Sequence, residues 1–226
     1  MSSRVKELET SSTVSHNASR GTLFVVSSPS GGGKGTIIRH VLAVVANLRY
    51  SVSYTTRAPR SGEAHGREYF FVNRETFAEM VAAGEFLEWA CVHGNLYGTA
   101  KNQIIEETAA GADIILEVDV QGAASVRQLL MDSVSIFILP PSYEVLRQRL
   151  IARGTDSPEE LELRLHNAPE ELRQYSTFDY VIINDEIDRA VGQLASIISA
   201  ERARCMRQES LVLEVIEKFK SNSIIE

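Results

Sequence analysis

The stretch Ser28-Pro29-Ser30-Gly31-Gly32-Gly33-Lys34-Gly35-Thr36 constrains this chain more than any other. An apolar run, Gly21 to Ser27, leads into it, and an apolar-periodic stretch with Ile37, Ile38, Val41, Leu42 and Val45 follows, extending to about Asn47. Strand, glycine loop and helix in that order form the setting of a phosphate-binding loop. Glycines let successive N–H groups turn inward around phosphate oxygens, and the helix N-terminus adds free amides and its dipole. Lys34 brings a full positive charge to the outer phosphates, and the Thr36 hydroxyl suits Mg²⁺ or a phosphate oxygen. The loop departs from the usual pattern at Ser28, where Gly is expected, and at Gly35, where Ser or Thr is expected. A dinucleotide fingerprint fails, because Thr36 stands where its third glycine belongs.

The rest of the chain alternates strands with helices. Apolar strands are expected at Tyr50–Ser53, Ile114–Asp119, Val134–Leu139 and Tyr180–Ile183. Helices are expected at Lys101–Ala110, from Gln121 to about Met131 and over Tyr143–Arg153. Another starts at Pro158, bends near Pro169 and ends by Gln174, and a long C-terminal helix covers about 187–220. Ser157, Pro158 and Glu160 spell out a cap, a first-turn proline and a box-closing acid. This is an α/β pattern with a parallel sheet flanked by helices. The segment 53–99 differs. Its strands Tyr69–Val72, Phe86–Val92 and Leu96–Thr99 lie close together around a helix over Arg74–Ala83 capped by Asn73. Turns are expected at His93–Asn95 and Gly154–Asp156. The segment reads as a small antiparallel insertion. Residues 1–20, rich in Ser and Thr, read as a flexible, solvated N-terminal tail. The face made by Val212, Val215, Ile216 and Phe219 suits packing on the core or onto a second subunit, as in a homo-oligomer.

Charge narrows the partners. With 226 residues and a net charge of −7, the chain lacks the basic balance of a nucleic-acid binder. No apolar run is long enough to cross a bilayer. Cys91 and Cys205 show no metal-ligand spacing and fit a reduced, cytoplasmic setting. The arginines then serve something small and anionic. Arg57 and Arg60 flank a proline-stiffened loop, while Arg149, Arg153 and Arg164 surround the turn at Gly154. Planar guanidinium forks suit phosphoryl oxygens. Glu88 lies in an apolar run, where a carboxylate needs donors; guanine offers N1–H and N2–H₂, whereas adenine N1 is an acceptor. Ser53 and Thr99 are hydroxyls within reach of a base oxygen, and Tyr69 and Tyr97 offer phenolic donors or core filling. Asp119, ending its strand, takes the position of an acidic Mg²⁺-water ligand, with Glu117 on the same side; closing a salt bridge is the alternative task for one of the two.

With these residues in hand, the chain resembles guanylate kinase from about Gly21 to Ala200. The matching stretches are SSPSGGGKGT, SVSYTTRAPRSGEAHGREYFFV, GEFLEWACVHGNLYGT, LEVDVQGA, RLIARGTDS and VIINDEID. The resemblance implies a P-loop core over 21–52 and 100–226, a mixed α+β GMP-binding insertion over 53–99 and a helical lid over about 143–174. It implies ATP and Mg²⁺ as co-substrate and cofactor. ATP would be held by Ser30, Gly31, Gly32, Gly33, Lys34, Gly35 and Thr36, with Asn184 and Asp185 near its adenine. Arg57, Arg60, Tyr69 and Tyr97 would hold the GMP phosphate, while Ser53, Glu88, Thr99 and Glu117 read guanine. Lys34, Arg57, Arg149, Arg153 and Arg164 would act on the transferring group. Two rivals stay open on sequence: a kinase for another nucleoside monophosphate, and a guanylate-kinase-like interaction module without activity.

Overall fold

Unbroken apolar runs need cover on both faces, and a parallel sheet between helices gives it. In the computed structural model, which describes residues 20–92, 94–154 and 157–222, β1 (Leu23–Ser27), β2 (Leu48–Tyr50), β7 (Asp113–Glu117), β8 (Val134–Leu139) and β9 (Tyr180–Ile183) form that sheet. Its order is β2-β7-β1-β8-β9, and every pair is parallel. One face packs Phe24, Val26, Ile115 and Ile136 against α1 (Lys34–Val44) and α7 (Ile187–Arg202) through Ile37, Ile38, Val41, Leu194 and Ile198. The other packs Leu23, Val25, Ile114 and Leu116 against α3 (Lys101–Ala109) and α4 (Val120–Leu129). Each such buried side chain contributes about 1.5–3 kcal/mol.

The second sheet contains β3 (Tyr54–Thr55), β4 (Phe70–Phe71), β5 (Phe86–Val92) and β6 (Asn95–Ala100), in the order β4-β3-β6-β5, and α2 (Arg74–Ala82) accompanies it. It is not wholly antiparallel as expected: β3 and β4 run parallel, joined through Phe70 N–H to Ser53 O and Val72 N–H to Thr55 O. β5 has three successive buried residues, Phe86, Leu87 and Glu88, which simple alternation forbids. A bulge resolves this, since Phe86 opposes Ala100 and Glu88 opposes Thr99, leaving Leu87 as the extra residue. Leu87 packs with Val118, Ala123 and Val126 of the main core.

Two further helices, α5 (Tyr143–Arg153) and α6 (Pro158–Arg173), pair through Leu146, Leu150, Leu165 and Ala168. The reciprocal Ser157–Glu160 capping box starts α6, which continues across Pro169. At the amino ends of the strands, buried Asp113 accepts the Thr22 N–H at 2.6 Å and pairs with Arg202 of α7 at 2.7 Å. Arg202 also donates to Ala46 O at 2.7 Å.

Several boundaries differ from expectation. The strand placed at Tyr50–Ser53 runs over Leu48–Tyr50, because α1 ends at Val44 and Asn47, at φ 57°, turns the chain early. The strand placed at Ile114–Asp119 ends at Glu117, and Asp119 instead caps α4 by accepting the Gly122 N–H at 2.8 Å. The single helix over 187–220 is two, α7 and α8 (Cys205–Asn222), broken at Ala203–Arg204. Val212, Val215, Ile216 and Phe219 of α8 are exposed, so this face does not pack on the core. The proposed tail lies outside the described residues apart from Arg20, as do His93, Thr155 and Asp156 of the expected turns. No helix among the described residues is long and apolar enough to cross a membrane.

Candidate active site

All five parallel strands point their carboxyl ends the same way, which is where ligands bind in such sheets. A cleft of about 1940 Å³ opens there, between the glycine loop, α5–α6 and the second sheet. Single-ligand pockets occupy about 300–1000 Å³, so this one has room for two nucleotides. It is lined by every site residue expected from sequence except Thr99.

The loop side is built mainly from backbone. Gly31 (φ 86°) and Gly33 (φ 89°) adopt left-handed conformations that other residues resist. Gly33 also leaves no room for a side chain, because a Cβ would stand 2.2 Å from Asn184 Nδ2. Neighbouring elements hold the loop. Asn184 Nδ2 donates to Gly32 O at 2.9 Å, while Arg149 donates to Gly32 O at 3.4 Å and to Asn184 O at 2.9 Å. From α6, Arg164 donates to Ser30 Oγ at 2.5 Å, and Glu171 accepts the Ser30 N–H at 3.2 Å. Lys34, mostly buried, donates to Val118 O at 2.7 Å and lies 3.7 Å from Glu117. Burial lowers the Arg149 pKa from its ordinary value.

Asn184 is buried, with its amide engaged by Gly32, and Asp185 pairs with Arg189. Both reach the cleft, but their polar groups face protein partners. Arg153 is exposed at the end of α5 and still lines the cleft.

The opposite side is built from side chains. Arg57 binds both Glu63 carboxylate oxygens at 2.9 Å, and its guanidinium lies 5.5 Å from the Tyr69 ring centroid. Glu63 also accepts the Arg60 N–H at 2.8 Å. Burial alone would raise the Glu63 pKa; the Arg60 N–H and the Arg57 guanidinium outweigh it and hold the carboxyl below its usual value. Burial likewise opposes the Arg57 charge, yet its bonds to Glu63 raise its pKa overall. The Tyr69 and Tyr97 rings meet edge-on at 5.8 Å. Burial, then the charge of Glu117, push the Tyr69 phenol up to about 12, which keeps it a donor at neutral pH.

Glu88 is 9% exposed, delivered to the cleft by the β5 bulge. Its Oε1 accepts from Thr99 Oγ1 at 2.6 Å, and Thr99 Oγ1 lies 3.2 Å from Ser53 Oγ. A hydroxyl has one proton, so Ser53 donates to Thr99 while Thr99 donates to an ionised Glu88. Thr99, fully buried, therefore orients Glu88 and does not face the cleft. Burial is the main cause that pushes the Glu88 carboxyl up to about 7, with the Asp119 charge adding to it and the Thr99 bond opposing it.

Glu117 accepts from Tyr50 at 3.3 Å and sits against the glycine loop, where a Cβ on Gly35 would stand 3.6 Å from its Oε2. Sequence reasoning passed over Tyr50, Glu63 and Glu171. The close spacing of Arg57, Arg60 and Glu63 was a usable signal; nothing in sequence separates Glu171 from the other acids of α6. No cluster of three His, Cys, Asp or Glu able to hold a metal exists among the described residues. Thr36, Glu117 and Asp119 are nonetheless hard oxygen donors lining the same cleft.

Comparison with known proteins shows the family. The family model described as guanylate kinase matches residues 20–201. The guanylate kinase of Symbiobacterium thermophilum is 51% identical over 200 residues, covering 88% of this chain and 95% of that one. The guanylate kinase of Geobacter sulfurreducens is 48% identical over 195 residues, covering 86% and 96%. A crystal structure of guanylate kinase from Anaplasma phagocytophilum superposes with a TM-score of 0.71 at 36% identity, covering 84% of this chain and 90% of that one.

Proposed function

The chain belongs to the guanylate kinase family, and from that premise we propose how its cleft performs the reaction. It is a nucleoside monophosphate kinase that transfers the γ-phosphoryl group of ATP to GMP, giving ADP and GDP. A GMP phosphate oxygen bonds to the γ-phosphorus as the bond to the β,γ-bridging oxygen breaks, and that electron pair leaves with ADP. The attacking oxygen is already anionic, so no strong base is required. The work is to bring two anions that repel each other into line and neutralise the charge that spreads over the transferring group.

In this reading Gly31 to Thr36 hold the ATP phosphates, and Lys34 moves its charge from Val118 O and Glu117 to the outer phosphates. Arg149, Arg153 and Arg164 approach the transferring group from α5 and α6. Arg57, Arg60, Tyr69 and Tyr97 hold the GMP phosphate. Glu88, ionised and oriented by Thr99 and Ser53, accepts from guanine N1–H and N2–H₂. Mg²⁺ fits as an ion carried in by ATP, because it commonly takes only one or two protein oxygens along with phosphates and water; Thr36 and Asp119 would supply them. When bound, it neutralises phosphate charge as a Lewis acid. Segment 53–99 is the GMP-binding insertion, and 143–174 is the lid that closes over both nucleotides and excludes water.

The observation that carries this reading is the single cleft shared by the Lys34 loop and Glu88. ADP release with ATP and each of AMP, CMP, UMP, GMP and dGMP tests it. Turnover with GMP and dGMP alone is expected. Preference for another base would remove the role given to Glu88, and no turnover with any acceptor would leave a binding module.

A further inference from the structure

Gly122 occupies an interior position in the first turn of α4, and its φ does not require glycine. Alanine there would favour the helix by about 1 kcal/mol. The reason for glycine is space. A Cβ would stand 3.0 Å from Glu88 Oε2, 3.2 Å from Asp119 Oδ1 and 3.2 Å from Val118 Cβ. These neighbours differ in how easily they yield. Asp119 is held by the Gly122 N–H at 2.8 Å, and Val118 belongs to the buried core. Glu88 Oε2 is the end of a flexible side chain whose other oxygen is tethered to Thr99.

We propose that Gly122 is a positioning residue for guanine recognition: its missing side chain leaves the recess into which Glu88 Oε2 fits, and so fixes the line along which the carboxylate meets the base. This rests on Glu88 reading guanine. The bulge supports it from the opposite side. Leu87 anchors β5 against Ala123 and Val126 of the same helix, so β5 cannot back away from α4 without losing a buried leucine. A methyl at Gly122 therefore moves the carboxylate and not the strand.

Gly122→Ala is compared with the unsubstituted enzyme in steady-state kinetics on GMP and on inosine monophosphate, which lacks the 2-amino group. The KM for GMP should rise about tenfold, as for a charge-assisted hydrogen bond put out of line. The KM for ATP should stay within about twofold, and the preference for GMP over inosine monophosphate should fall, at an unchanged or higher melting temperature. Adding Glu88→Asp to Gly122→Ala shortens the acid and should recover part of the loss, a coupling between neighbours that independent damage would not give.

An unchanged KM for GMP, an equal rise in both KM values, or a melting temperature lowered by several degrees overturns the proposal. Glu88→Gln, measured alongside, separates the two levels. If it leaves GMP use intact, the reading of Glu88 fails; if it impairs GMP use while Gly122→Ala is silent, only the role of Gly122 fails.

Discussion

The two walls of the cleft face each other but are made of different materials. The glycine-loop wall, the ATP wall of the proposed function, is chiefly backbone: left-handed glycines and the start of α1, braced by Asn184, Arg149 and Arg164. The opposite wall, the GMP wall of the proposed function, is chiefly side chains already engaged with one another: Arg57 ion-paired with Glu63, and Glu88 hydrogen-bonded by Thr99. Amides cannot change protonation state and distinguish phosphates poorly, so the first wall suits a triphosphate common to many enzymes. A buried carboxylate can be tuned and distinguishes donors from acceptors, so the second suits selection of one base.

The contrast is open to attack, beginning where the effect is largest. Lys34→Ala removes the mobile charge of the ATP wall. It should lower kcat by about 10²–10³, as other deletions of a preorganised charge do, while GMP affinity measured by calorimetry changes little. A parallel fall in GMP affinity would mean that the walls are not separable.

Arg57→Ala strips the GMP wall and also leaves Glu63 without its cation. GMP should bind about 10–100-fold more weakly, with the KM for ATP unaltered. A variant that loses ATP instead would place Arg57 on the wrong wall.

The smallest effect is in pH. Burial pushes the Glu88 carboxyl up to about 7, and in the proposed role both its oxygens accept from guanine only when it is ionised. GMP affinity should therefore fall about tenfold from its plateau on acidification to pH 6. The GMP phosphate ionises in the same range, with a pKa of about 6. Glu88→Gln supplies the reference curve, which should be flatter. Stability should respond with the opposite sign. A carboxyl whose pKa is raised by folding adds stability below the ordinary carboxylate range and loses it as pH climbs through about 7. The ligand-free protein should thus gain from acidification while its hold on GMP weakens, as melting curves with and without GMP would show.

Where sequence spoke plainly, the signal was local. Ser157-Pro158 with Glu160 announced α6, Asn73 announced α2, and aromatic and branched residues announced β5 at its observed bounds. Misses came from long-range partners. Parallel pairing of β3 with β4 depends on a loop returning beside Ser53. The break between α7 and α8 has neither Gly nor Pro to mark it; it falls where Glu201, buried, accepts from Tyr180 at 2.6 Å and pairs with Arg204 at 3.0 Å.

At the site, the glycine loop, the arginines and Glu88 were legible by residue type and spacing. Asp119 was legible as an acid beyond an apolar strand, but its second task was not: one of its oxygens caps α4 by accepting the Gly122 N–H, a partner that only the folded chain supplies. The Ser53–Thr99–Glu88 relay was named residue by residue, but its direction emerges only when three distant segments meet.

The anchoring of Asp113 by Thr22 and Arg202 has a mechanical consequence. It ties β1, β7 and α7 together at the end of the sheet remote from the nucleotides. The swings of the insertion and of α5–α6 that the proposed closure requires would thus pivot far from this knot. In the proposed closure, the scaffold behind the reaction would hold its shape while only the jaws in front of it travel.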